Sequence, residues 1–284
     1  MKWYDVNSPA SRDPARLERF VTAIEPYLQR LFRPRVSGLE HIPGGPVLYV
    51  GNHSGGALTP ESYIFFVEVY RAHGLDGVPY GLAHSFPLRL PGFHQLFVPL
   101  GAVRASHDNA ARVLEVGGKL LVFPGGDIDS LRPFHMRNRI VFGSRRGYVR
   151  LALTHGLPIV PFVAAGAHAT FAVLNDGRKT ARLLGIDRLL RVKTFPVTFS
   201  LPWGLTVGPP PAYIPLPTDV WMEILPPMRF ARAGEEAAAD RRYVEECHHH
   251  VLSTMQSALT RLAAARGQAS ILERVAERLR PSRP

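Results

Sequence analysis

The sequence predicts an α/β fold: a single domain with a mainly parallel central sheet flanked by helices, preceded by an amphipathic N-terminal helix. Three features of the 284 residues carry this expectation. Short apolar runs rich in Val, Leu and Ile recur at 46–50, 119–123 and 157–164, the pattern of strands covered on both faces. Segments with helical spacing of apolar residues lie between them. Gly and Pro punctuate the junctions, and neither an internal repeat nor a linker divides the chain. The expected organisation is an N-terminal helical region over 1–45, the α/β domain over 46–265 and a basic amphipathic tail over 266–284.

In chain order, residues 13–32 place Leu17, Phe20, Val21, Ile24, Leu28, Leu31 and Phe32 on one helical stripe, with Arg12, Arg16, Arg19 and Arg30 mostly off it. Pro26 is expected to kink or divide this helix, because it lacks an N–H and crowds the preceding turn. Such a helix suits a membrane surface or the protein's own core. A strand is expected over 46–50, a helix over 63–72, strands over 77–83 and 97–103, and a helix over 107–116. Residues 119–123 follow as a short buried strand, 147–154 as a helix, and 157–164 as a fully apolar strand. Residues 220–225 add a late strand and 237–265 a long helix. The stretch 194–217 resists this alternation, being uncharged and rich in Pro. As a loop it would expose Phe195, Phe199, Leu201, Trp203 and Leu205 together, so it either covers something internally or faces lipid.

Lys and Arg number 34 against 23 Asp and Glu, a net charge of +11, and nearly all the cations are Arg. This balance favours anionic partners: nucleic acid, anionic lipid or phosphorylated small molecules. Between Asp129 and Asp176 no acid occurs, while Arg132, Arg137, Arg139, Arg145, Arg146 and Arg150 fall inside the gap; a solvated basic face is the plain alternative. The single cysteine, Cys247, excludes an internal disulfide framework and fits a reducing compartment. No apolar signal region stands at the start, and the longest uncharged apolar stretch, 157–174, contains Pro158, Pro161, Gly166 and His168. These suit strand and loop better than a spanning helix. Cys247-His248-His249-His250 lies on a predicted helix, where neighbours do not share a face, and no second cluster has matching spacing, so no metal is expected.

Four places carry residues suited to chemistry. His53 ends the first strong strand, where a neutral imidazole can take a proton from a hydroxyl or serve only as a structural side chain. Asn52 precedes it, and Ser54, Gly55 and Gly56 follow; small residues let a backbone approach a ligand and present N–H groups. Glu61 occupies the second position of a helix that Thr59 caps and Pro60 opens. There it either favours the helix dipole, by about 0.3–1 kcal/mol, or accepts from one nitrogen of His53. Arg104 ends a strand, placed to fork onto a phosphate. Pro124-Gly125-Gly126 ends another in a turn suited to an anion, with Asp129 and Arg132 beyond it. Position 52 is Asn, so Ser54 lacks the first glycine of a nucleophile elbow.

Asn52-His53, Gly101-Ala102-Val103-Arg104, residues 123–132 and Val160-Pro161, in that order, resemble the four blocks of the glycerolipid (lysophospholipid) acyltransferase superfamily. The resemblance covers about 46–166, with weaker similarity to about 227. The usual first block is His-x-x-x-x-Asp; position 58 here is Leu, and Glu61 is the nearest acid. The usual third block is Phe-Pro-Glu-Gly-Thr-Arg. Pro124-Gly125-Gly126-x-x-Asp129 is instead similar to the Pro-Gly-Gly-x-x-Glu of mono- and diacylglycerol acyltransferases.

The resemblance implies transfer of a fatty acyl group from acyl-CoA or acyl carrier protein to a hydroxyl of a glycerolipid or similar lipid. It gives His53 as general base, Glu61 as its partner, and no acyl-enzyme. It also implies substrate contacts from Asn52, Ser54, Gly55, Gly56, Arg104, Pro124, Gly125, Gly126, Asp129 and Arg132. Backbone N–H groups of the glycine loops would meet the oxyanion, and Arg104 and Arg132 a phosphate. Acyl-CoA enters as co-substrate, with no further cofactor and no metal. The expected partners are the lipid acceptor and a membrane surface, not nucleic acid, and the expected place is cytoplasmic, peripheral on the inner face of the cell membrane. Two alternatives stand beside this reading: an inactive lipid-binding protein on the same fold, left open by Leu58, and a lipid hydrolase in which His53 activates water.

Overall fold

The computed structural model of the chain describes residues 2–56, 58–185, 193–208, 212–267 and 272–274. Its strands are β1 (Arg35–Ser37), β2 (Leu48–Gly51), β3 (Tyr80–Ala83), β4 (Ala102–Arg104), β5 (Leu120–Val122), β6 (Ile159–Ala165), β7 (Ala172–Asn175), β8 (Val197–Ser200), β9 (Gly204–Val207) and β10 (Trp221–Ile224). Its helices are α1 (Pro14–Phe32), α2 (Pro60–Gly77, broken at Gly74), α3 (Phe93–Phe97), α4 (His107–Glu115), α5 (Gly126–Ser130), α6 (Gly147–Thr154), α7 (Arg178–Leu183), α8 (Glu235–Ala239) and α9 (Arg241–Arg266).

Seven strands form one sheet in the order β1-β10-β6-β2-β5-β3-β4. All neighbours pair in parallel except β10 with β6. Alternation of side chains explains the layers. Leu48 and Val50 of β2, with Ile159 and Val163 of β6, enter a core closed by α4, α6 and α9. Tyr49, Val160 and Phe162 point the other way, into a core closed by α1 and α2. Both faces of the central strands are thus dry, as their unbroken apolar runs require. The predicted single α/β domain with a mainly parallel sheet is the observed fold.

Several expectations are corrected. The helix over Pro14–Phe32 runs on through Pro26. Pro26 and Thr22 lie on its exposed side, so the carbonyl that loses its N–H partner is open to water. The apolar stripe of α1 is spent inside: Leu17, Val21, Leu28 and Phe32 are buried against α2 and the sheet. The strand expected over 97–103 is instead the end of α3, a turn and the short β4. The run 194–217, which stood outside the predicted alternation, contains β8 and β9, which join β7 in a second, antiparallel sheet. The strand β1 and the helices α5 and α7 carry too few residues for periodicity to reveal them. Of the tail expected over 266–284, all but 266–267 and 272–274 lies outside the described residues.

Candidate active site

The central strand β2 ends at Gly51, and the chain leaves the sheet through Asn52, His53 and Ser54. A Cβ at Gly51 would stand 2.3 Å from the Phe162 ring and 2.7 Å from the Phe123 ring, so only glycine lets these aromatics close over the strand end. The Asn52 amide extends the β2–β6 ladder, donating to the Ala164 carbonyl at 3.1 Å and accepting from its N–H at 2.7 Å. His53 then emerges, its side chain 17% exposed and stacked on Phe123 at 4.6 Å.

Glu61 stands in the first turn of α2 and is fully buried. Its Oε1 accepts from His53 Nδ1 at 2.7 Å and from the Ser54 N–H at 2.9 Å. A carboxylate oxygen can only accept, so the ring carries its proton on Nδ1 and leaves Nε2 with a free lone pair. Residues 54–60 bridge the gap between the two. Gly55 and Gly56 take φ of 71° and 55°, and Thr59 is left-handed at 42° with no cap bond from its side chain. The expectation that Thr59 caps α2 through its hydroxyl is therefore corrected; the chain arrives too sharply turned.

Asp129 and Arg132, expected to meet substrate, are buried and grip His53 from within. Asp129 Oδ2 accepts from the His53 N–H at 2.6 Å, and Oδ1 from the Val141 N–H at 2.9 Å and from Arg132 at 3.1 Å. Arg132 donates to the His53 carbonyl at 2.5 Å, the Ser54 hydroxyl at 2.9 Å, Met136 O at 3.1 Å and Arg137 O at 2.7 Å, and to the Asp129 carbonyl. All five guanidinium N–H groups are thereby used, and no phosphate can reach them. Burial pushes the Asp129 carboxyl up and the Arg132 guanidinium down, while each charge opposes the other's shift. His168 donates from Nε2 to the Arg132 carbonyl at 2.7 Å; burial, then the Arg132 charge, hold its pKa well below the ordinary histidine value.

The glycine loops are also turned inward. A Cβ on Gly55 would meet Pro60 at 2.5 Å, and one on Gly56 would meet Phe171 at 2.8 Å. The Gly56 N–H is aimed at Ser130 O (3.4 Å), the Gly55 carbonyl accepts from the Tyr213 hydroxyl at 2.6 Å, and the Gly126 N–H is bonded to Phe123 O at 3.0 Å. Pro124 and Gly125 are buried, and their carbonyls accept from Arg145, which also pairs with Asp127 at 2.8 Å. The side chains of Asn52, Ser54, Asp129 and Arg132 thus spend polar groups on the fold around His53, and the Gly55, Pro124 and Gly125 carbonyls accept from protein donors. The N–H groups of Ser54, Gly56 and Gly126 each face a protein acceptor.

Arg104 is exposed on the edge strand β4, three strands from β2, or about 14 Å at 4.8 Å per strand. The fold does not bring it to His53. Phe123, Tyr213, Arg145 and His168 were not singled out from the sequence, although Phe123 opens the third block. Cys247 and His248 turn into the core, where His248 Nδ1 meets the Tyr148 hydroxyl at 2.9 Å. Among the described residues no three His, Cys, Asp or Glu side chains gather as a metal site.

The diacylglycerol acyltransferase family model matches residues 80–215, which takes in Arg104, the Pro-Gly-Gly turn and Val160-Pro161. Diacylglycerol O-acyltransferase 2 of Homo sapiens is 25% identical over 150 residues, 44% of this chain and 37% of that protein. These matches support a glycerolipid acyltransferase superfamily with a diacylglycerol acyltransferase-like branch as what the chain resembles. An uncharacterized protein of Mycobacterium tuberculosis is 30% identical over 241 residues, 84% of this chain, and the chain spans 64% of that relative's length. The human "DGAT1/2-independent enzyme synthesizing storage lipids" is 29% identical over 144 residues, 50% of this chain and 43% of its own. The superfamily fold is seen in the 1-acyl-sn-glycerophosphate acyltransferase PlsC of Thermotoga maritima, with a TM-score of 0.55, 16% identity, and 87% and 79% of the two chains covered.

Proposed function

We propose that this chain moves a fatty acyl group from an acyl thioester, acyl-CoA or acyl carrier protein, to a hydroxyl of a glycerolipid. The observation that carries the reading is the 2.7 Å contact between His53 Nδ1 and the buried Glu61 carboxylate. His53 Nε2 takes the acceptor's hydroxyl proton as its oxygen attacks the thioester carbonyl; the tetrahedral adduct then expels the thiolate, which recovers that proton from Nε2. Glu61 stays ionised and faces the imidazolium while it exists. No acyl-enzyme forms.

The acceptor in this reading is a non-phosphorylated hydroxyl, such as that of a mono- or diacylglycerol. Arg132, which donates to the His53 carbonyl, is consumed inside the fold, and the two human relatives are named for storage lipids and for diacylglycerol. Exposed Arg104 remains available to a phosphate of coenzyme A. An apolar pocket of about 110 Å³, lined by Phe20, Tyr63, Phe66, Phe97, Leu100 and Leu121, suits part of an acyl chain. The protein is read as working at the cytoplasmic face of a membrane; no described helix is long and apolar enough to cross one.

Acyl transfer from radiolabelled acyl-CoA to a panel of glycerolipids tests the proposal. His53→Ala is expected to lower the rate about 10²–10⁴-fold with the fold intact. Near-normal transfer by that variant would remove His53 from the mechanism.

A further inference from the structure

The small sheet of β7, β8 and β9 inverts the arrangement of a half-buried sheet. Thr198, Ser200 and Thr206 take the inner face, with Thr198 and Ser200 buried and the two threonine hydroxyls 2.8 Å apart. The register pairs Phe199 with Leu205 and Val197 with Val207 on the outer face. There Phe199, Leu205 and Val207 are 44%, 64% and 66% exposed, and the turn adds Leu201 and Trp203 at 42% and 55%. Ile214, bridged to Leu201, is 60% exposed. Such a continuous apolar face marks an interaction site rather than a solvated surface. Trp203 fits this best: its indole N–H is bonded to the Ala212 carbonyl at 2.6 Å, which leaves an outward ring with its one polar atom satisfied.

Charges at the margin of the small sheet, where Gly177 at the start of α7 packs on Phe195 just before β8, select the occupant. On α7, Arg178, Lys179 and Arg182 are exposed next to Leu183 and Leu184, themselves 86% and 58% exposed, and Lys193 leads toward β8. Asp176 is the single acid among the described residues of 171–217, and it is paired with Arg178 at 2.6 Å. Exposed apolar side chains bordered by cations complement an anionic lipid surface, with the rings and leucines entering the acyl boundary and the cations meeting headgroups. The rival amphipathic element, α1, has its stripe packed against α2 and the sheet.

We propose that the outer face of β7–β9, together with α7, docks the protein on an anionic lipid bilayer. The inner side of the same lobe packs on the active-site loop. Phe171, Val173 and Tyr213 cluster with Leu131 and Leu58, and the Tyr213 hydroxyl holds the Gly55 carbonyl two residues from His53. Docking therefore anchors at the bilayer, where lipid substrates reside, the same lobe whose inner side packs on the His53 loop. The inference rests on the membrane placement in the functional reading, but docking itself needs no turnover.

Sedimentation of the full chain with vesicles of phosphatidylglycerol and phosphatidylcholine tests it. The wild type is expected to partition onto mixed vesicles, and more weakly onto pure phosphatidylcholine. Trp203→Asp with Leu205→Asp lowers that partition at least about ten-fold. Arg178→Glu with Arg182→Glu lowers it roughly ten-fold and flattens its salt dependence. Thermal melts report whether each variant folds; if the hairpin variant does not, the helix variant decides alone. Unchanged partition in the folded variants overturns the proposal, as does a wild type that stays in the supernatant. A dimer that the hairpin substitutions dissociate, without vesicle binding, would overturn it too by assigning the face to a second copy. His53→Ala still docks, so a chain that docks without acyl transfer defeats the functional reading and leaves this one standing.

Discussion

Glu61 and Asp129 are both fully buried carboxylates bonded to His53, yet they are wired differently. Glu61, at the start of α2, takes the ring; its Oε1 serves His53 and Ser54, and its buried Oε2 has no partner among the described residues. Asp129, beyond the Pro-Gly-Gly turn, takes the main chain; both its oxygens are bonded, and Arg132 is its counter-ion. The charge of Asp129 is neutralised in the resting fold. The charge of Glu61 is attracted by the same Arg132, but its hydrogen-bonded neighbour is an imidazole that becomes cationic only when it takes a proton. Burial of an acid beside a histidine therefore does not by itself single out the ring's partner; what each carboxylate oxygen is bonded to does.

The contrast breaks most visibly at Asp129. Asp129→Ala leaves the Arg132 guanidinium buried without its counter-ion, and about 3–5 kcal/mol of stability should be lost in urea unfolding. Adding Arg132→Met should recover part of that loss. An Asp129→Ala protein as stable as the wild type would show that the pair does not hold the loop. Glu61→Gln keeps an acceptor for the Ser54 N–H but removes the charge. It should lower acyl transfer roughly 10²-fold while costing only about 1 kcal/mol of stability. If its stability fell as far as that of Asp129→Ala, both acids would be structural and the distinction would vanish.

The smallest effect concerns the histidines that the site does not ionise. Burial pushes His248 down to about 4 from 6.5, and His168 is held well below 6.5 by burial and by Arg132. The unfolded chain binds these protons first as pH falls. Their contribution is thus complete above about pH 6.5 and erodes below it, for His248 down to about pH 4. The slope is at most about 1.4 kcal/mol per pH unit for each histidine. Thermal melts between pH 8 and pH 5 read this directly, and His248→Gln, which keeps a partner for Tyr148, should flatten the slope. A midpoint flat across that range would contradict the assignment of both histidines as neutral.

Residues 147–154 and the strand ending near 164 were legible in the sequence because long apolar stretches between glycines allow few other structures. His53 and Glu61 were legible as a pair despite Leu58, since a carboxylate in the first turn of α2 needs only a tight bulge to reach back. The inward turn of Asp129 and Arg132 was not. Their partners are main-chain groups of His53, some 76–79 positions away, and no local pattern reports those. The hairpin of β8 and β9 was hidden for a different reason: a period of two says which residues share a face, never which face is dry.

The strand that carries His53 stands fourth of seven. Its amides at 48–50 are hydrogen-bonded between β5 and β6 and covered by a core on each side, so they should exchange with deuterium only when the whole domain unfolds. The histidine is therefore mounted on the stiffest axle of the molecule. In the proposed reaction, alignment then falls to the arriving substrates, since the strand end that carries His53 is held on both sides.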